Sequence, residues 1–184
     1  MLDLGAGTGR NTRVFAGSAS EVVAADVSSE MLKVLSESTS FELLEQIHQV
    51  RCDALHLPFA GSCFERVAFV AAIHHIAGAG NRAAAMREIE RVTAPGGVVL
   101  VTAWALSPRG EDAGKVEKMA GGEDGDYIIR WGTVPRFYHL FTLEELVETV
   151  QSAGLVILRS YKESISRKAA AENWVVVASC IKNS

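Results

Sequence analysis

Cysteine is scarce. Cys52, Cys63 and Cys180 are the only three in 184 residues, and their spacing is neither a metal-ligand pattern nor an even-numbered disulfide framework. That excludes a disulfide-stapled secreted scaffold and a zinc module, and predicts reduced core thiols in a cytoplasmic protein. An excess of one charge is also missing: 18 Lys and Arg stand against 22 Asp and Glu. The first 97 residues hold 8 basic and 11 acidic side chains and the rest 10 and 11, so neither part is a basic patch. A nucleic-acid partner would have to be held by local contacts or with help from a second subunit, not by bulk charge. No apolar run approaches the roughly 20 residues of a membrane helix, which argues against a membrane protein. The first residues do not read as a signal peptide. The length suits one domain with a real core, 1–184.

What is present is concentrated at the start. Met1-Leu2-Asp3-Leu4-Gly5-Ala6-Gly7-Thr8-Gly9-Arg10 reads as a short strand, a tight turn and a helix N-terminus. Glycines at 5, 7 and 9 allow positive φ and let a ligand lie against bare main chain, with loop N–H groups turned to a small anionic group. A dinucleotide fingerprint would need its third glycine at position 10, which is Arg10. So few strand residues precede Asp3 that the chain is expected to be shortened at its N-terminus.

Further along, Glu21–Asp26 is a second strand closed by an acid 21 residues after Gly5. Asp26 is placed to accept ribose hydroxyls, or alternatively to cap the helix that follows. Ile47–Cys52 is a third strand, and Asp53 after it is either a turn residue or a partner for an adenine amino group. Arg66–Ala72 is a strand buried on both faces. It leads into His74 and His75, at the strand end where ligands sit in open α/β sheets; one of the pair is expected to line the site.

Asn81 is expected to cap a helix through Val92 with Met86, Ile89 and Val92 inward. Pro95-Gly96-Gly97 then precedes a strand over Val98–Thr102. From Ala105 to Val134 the pattern dissolves, which predicts a mobile substrate lid over 105–135. Thr142 and Glu145 form a capping box for a helix ending at Gly154. Strands over Leu155–Ser160 and Asn173–Ile181 close the chain as a hairpin. The alternation predicts an α/β fold with a doubly wound, mostly parallel sheet.

The G-x-G-x-G loop behind Asp3 resembles motif I of the class I S-adenosylmethionine (SAM) methyltransferases. Together with Cys52-Asp53-Ala54-Leu55-x-Leu57-Pro58, Ile73-His74-His75, Pro95-Gly96-Gly97, Trp104, Arg136-Phe137-Tyr138-His139-Leu140-Phe141 and Asn173-Trp174, the chain is similar to the wobble-uridine carboxymethyl tRNA methyltransferases. It departs from them in Ala6 and Thr8, where Cys and Asn are common. The resemblance implies a Rossmann-like seven-stranded sheet ending in an antiparallel hairpin. It implies SAM held by Asp3, Gly5, Gly7 and Gly9, by Asp26 and Val27, by Asp53 and Ala54, and by Ala71.

The implied reaction is esterification of the carboxylate of a 5-carboxymethyl-type uridine in a tRNA anticodon loop. The residues implied for the acceptor side are His74, His75, Trp104, Arg136, Tyr138 and His139, with Arg136 as the anion clamp and Phe137 and Phe141 as core. A small zinc-ribbon activator subunit is implied to pair with strand 47–52. Two other readings stay open: a methyltransferase for a small metabolite, and a non-catalytic SAM-binding partner module.

Overall fold

The computed structural model describes residues 1–105, 116–164 and 172–182. Seven strands form one sheet in the order β3-β2-β1-β4-β5-β10-β9, with β1 Leu2–Leu4, β2 Val22–Asp26, β3 Ile47–Arg51, β4 Phe64–Val70, β5 Thr93–Trp104, β9 Leu155–Ser164 and β10 Glu172–Cys180. The pairs from β3 to β5 are parallel. β10 runs antiparallel to both β5 and β9, so the expected hairpin is present, its connection lying outside the described residues.

Alternate residues of β2 feed two separate cores, as a strand with helices on both faces must do. Val22 and Ala24 join Ala16 of α1 (Arg10–Ala16) and Leu35 of α2 (Ser29–Glu37). Ala25 joins Leu2, Leu4, Phe69 and the inner residues Met86, Ile89 and Val92 of α4 (Ala79–Val92). Leu146 and Val150 of α5 (Leu143–Gln151) close the same core, and all five of these helix residues are fully buried. A one-turn helix, α3 (Phe41–Leu44), precedes β3. No described helix is long and apolar enough to cross a membrane.

Four expectations are corrected. Asn81 does not cap α4: the cap is Gly78, and the Asn81 amide donates back to the Ala77 carbonyl at 2.9 Å. The three cysteines are not all core thiols, since Cys180 is buried, Cys52 half-buried and Cys63 exposed. The third correction concerns 105–135, which is irregular only in part where it is described. β6 Val116–Lys118, β7 Asp126–Trp131 and β8 Val134–His139 form a separate three-stranded antiparallel sheet; residues 106–115 of the expected lid lie outside the described residues. The fourth is Phe137, expected in the core but found on a cavity wall.

Candidate functional site

Strand order reverses at β1, between β2 and β4, and a crevice opens there at the carboxyl ends of the parallel strands. It holds a cavity of about 600 Å³, the size of a cofactor site. Its walls include Gly5 and Gly7 after β1, Asp26 at the end of β2 and Val27 after it, Asp53 and Ala54 after β3, and Ala71 after β4. His75, Arg136 and Phe137 complete the rim. Residues that spacing did not single out are Met31 and Ile76. Met31 is 37% exposed and lines this cavity.

The loop geometry follows from its glycines. Gly5 sits at φ +69°, and a Cβ there would lie 2.5 Å from that of Ala72, so the turn after β1 closes against the end of β4 only without a side chain. Gly7, at φ +54°, has nothing within 4 Å of where its Cβ would be. It presents bare main chain to the cavity, a cradle with room for a ligand.

The expected array of loop donors is corrected, however. Gly5 and Ala6 donate to the Ala25 carbonyl (2.8 and 3.1 Å), Gly9 to Ala6 (3.0 Å), and Gly7 to Asp26 Oδ2 (2.8 Å). These N–H groups hold the loop's shape. Asp26 Oδ1 accepts from Ser28 N–H at 2.9 Å, and Ser28, not Asp26, caps α2. Asp53 Oδ1 accepts from Leu55 N–H at 3.0 Å, a local turn bond.

Asp3 and Gly9 do not line the cavity. Gly9 is buried, with Leu35 2.5 Å from where its Cβ would be. Asp3 is buried behind the loop and accepts from Thr12 Oγ1 at 2.6 Å, tying β1 to α1. Burial pushes its carboxyl up from 3.8 to about 6; the Thr12 bond opposes this and the Asp26 charge adds to it. A raised native pKa means a stability contribution present below about pH 4 and lost as pH rises through 6. Two pKa units correspond to about 3 kcal/mol. Asp3→Asn is therefore expected to gain on the natural chain across that window, in urea melts at successive pH values; parallel profiles would show that Asp3 stays ionised throughout.

The two adjacent histidines part company in the 3₁₀ turn Ile73–His75. His74 is buried, and its Nδ1 accepts the Trp104 N–H at 3.2 Å. Burial and the neighbouring His75 hold it well below the ordinary imidazole range, so it is neutral. Its ring stacks on Tyr138 (5.3 Å, 20°), which stacks on Trp104 (4.9 Å, 24°). These three rings stand behind His75 and do not themselves line the cavity.

His139 is elsewhere. Only 1% of its side chain is exposed, and its nitrogens lie 2.7 Å from Asp126 Oδ1 and 2.6 Å from Glu145 Oε1. Burial alone would lower its pKa, but those two carboxylate bonds outweigh it and the imidazolium is favoured. The expected base-contacting role of His139 finds both of its nitrogens occupied. Arg82 completes the cluster, 2.6 Å from Glu123 and 3.6 Å from Glu145. Glu123, Asp126 and His139 bring metal-type ligand atoms within 4.8 Å of one another. Yet Glu123 is held by Arg82 and by the Ala79 N–H at 2.8 Å, so the cluster is an ion-pair network that braces the small sheet against α4 and α5.

The sequence profile of the methyltransferase domain family matches residues 2–101. A candidate methyltransferase of Encephalitozoon cuniculi is 37% identical over 112 residues, 59% of this chain and 52% of that one. A tRNA (carboxymethyluridine(34)-5-O)-methyltransferase of Schizosaccharomyces pombe is 27% identical over 150 residues, 68% of this chain and 61% of that one. The chain thus spans a little over half the length of these relatives. Among solved structures, a SAM-dependent methyltransferase from Methanosarcina mazei superposes with a TM-score of 0.87 over 99% of this chain and 92% of that one, at 19% identity. The fold is shared.

Proposed function

Because the chain belongs to the methyltransferase domain family, we propose that it transfers a methyl group from SAM to the carboxylate of a 5-carboxymethyl-type wobble uridine in tRNA, forming a methyl ester. The observation that carries this reading is that one cavity is lined both by Gly5, Gly7, Asp26 and Asp53 and by Arg136. The residues fit the cofactor: Gly7 leaves open space, and Asp26, Asp53 and Ala54 line the same cavity, where Asp26 would accept ribose hydroxyls and Asp53 would take the adenine amino group. Bound there, SAM supplies an electrophilic methyl group.

The acceptor carboxylate is already anionic at pH 7, so the site needs no strong base. What the chain must provide is alignment of the acceptor and exclusion of water. Arg136 is exposed at the rim and forms no ion pair among the described residues. Its planar guanidinium can take a carboxylate through two parallel hydrogen bonds.

The reading extends to a small zinc-ribbon activator adding a strand to β3. In support, β3 is the edge of the sheet and its His48 and Arg51 are exposed.

Mass spectrometry of wobble nucleosides from cells lacking the protein tests the reading. Loss of the methyl ester with accumulation of the free acid is expected; an unchanged ester with no acid would eliminate the tRNA substrate and favour a small-metabolite acceptor. In vitro, Arg136→Ala is expected to lower kcat/KM by about 10- to 100-fold, the worth of a charge-assisted bond, with affinity for S-adenosylhomocysteine (SAH) unchanged by calorimetry. An equal fall in SAH affinity would move Arg136 to the cofactor side.

A further inference from the structure

Two polar groups of different kind share the acceptor rim, and only Arg136 is suited to an anion. His75 is the other. Its Nδ1 lies 3.2 Å from the Phe137 carbonyl oxygen, and a carbonyl can only accept, so Nδ1 carries the proton. In the neutral ring Nε2 is then a bare acceptor. Neighbouring rings fix the imidazole in place: His74 lies 4.5 Å away at 64° and Tyr138 4.6 Å away at 61°, both edge contacts. The ring lines the cavity, and Nε2 has no protein hydrogen bond among the described residues. A neutral acceptor repels a carboxylate and attracts an N–H or O–H.

We propose that His75, through Nε2, accepts a hydrogen bond from the imide N–H of the acceptor's uracil ring, while Arg136 takes its carboxylate. This rests on the reading above and makes His75 a specificity-determining residue rather than a base. Together the two groups demand an acceptor that offers an anion and a ring donor at once. A cytosine-type ring, which has an acceptor in place of the imide N–H, would set two lone pairs against each other and be rejected.

The lowered pKa of the ring agrees with a neutral acceptor. Burial lowers the His75 pKa, the Phe137 bond opposes that, the Arg136 charge lowers it further and Asp26 raises it.

The test uses two nucleosides, 5-carboxymethyluridine and its N3-methyl derivative, titrated into the 15N-labelled full chain saturated with SAH. Imidazole nitrogen signals are assigned to His75 with a His75→Gln variant. Free protein is expected to show a protonated Nδ1 and a bare Nε2. The first nucleoside should shift Nε2 toward the hydrogen-bonded position, and the second should not. The natural chain should bind the N3-methyl derivative about tenfold more weakly, the worth of one such bond, and His75→Phe should bind the two alike.

A proton on Nε2 in the free protein, no response to 5-carboxymethyluridine at millimolar concentration, or the same response to both nucleosides would each overturn the inference. The nitrogen shift also separates it from the reading it rests on. A shift with no ester formed in cells leaves His75 as assigned and removes the proposed substrate. Ester formation with equal binding of both nucleosides does the reverse.

Discussion

Replacing Arg82 by methionine is expected to destabilise the protein by about 4 kcal/mol, within the range for breaking a buried charge cluster from one side. The guanidinium is 2% exposed and is the only Lys or Arg in contact with the cluster of Glu123, Glu145 and the His139–Asp126 pair among the described residues. It also lies 5.6 Å from the centroid of the Phe141 ring and bonds the Ile76 carbonyl at 3.4 Å. Methionine fills much of the same volume, so the loss isolates charge and hydrogen bonding from packing. Without Arg82, the acids share one imidazolium, which binds Asp126 and Glu145 but not Glu123. A fall in melting temperature of roughly 10 °C follows for a chain of this size. Glu123→Gln should cost under about 1 kcal/mol, because that carboxylate is 43% exposed and its pair is screened. If Arg82→Met melts within 2–3 °C of the natural chain, roughly the effect of 1 kcal/mol, the cluster does not brace the small sheet.

Asp26→Ala is expected to lower SAH affinity about 100-fold, the equivalent of roughly 2.7 kcal/mol, as read by calorimetry. Two losses add. The carboxylate holds the glycine loop through Gly7 N–H at 2.8 Å and the start of α2 through Ser28 N–H at 2.9 Å. Each oxygen keeps a second lone pair, and those are the proposed ribose acceptors. Asp26→Asn should bind nearly as poorly, since an amide can satisfy only one of the two N–H groups and opposes its own donors to the other. The fold should survive, because the cores on either side of β2 do not involve this side chain. Affinity within threefold of the natural chain would leave Asp26 a loop-organising residue and nothing more.

Much of the sheet was legible because its signals are local. Strand β4 reads as a near-continuous apolar run, and Val67, Ala68 and Phe69 are each no more than 2% exposed. The capping box was legible through Thr142, whose Oγ1 accepts Glu145 N–H at 3.1 Å. The Glu145 carboxylate, however, reaches His139, a partner that helix-capping rules do not supply. The small sheet was hidden for the opposite reason. Its strands β6 and β7 are short and separated by Gly121, Gly122 and Gly125, a composition that reads as loop, and they are held by pairing of β6 with β7 and of β7 with β8 and by Asp126 on His139.

The sequence alone determined the parallel αβ alternation, the glycine turn and the spacing that sets Asp26 and Asp53 at strand ends, since each depends on residues close along the chain. Tertiary structure alone decided which histidine faces the cavity, where Asp3 and His139 go, and that Arg136 arrives at the rim. Those outcomes depend on a one-turn 3₁₀ segment, on burial, and on contacts between residues tens of positions apart, which no local pattern encodes.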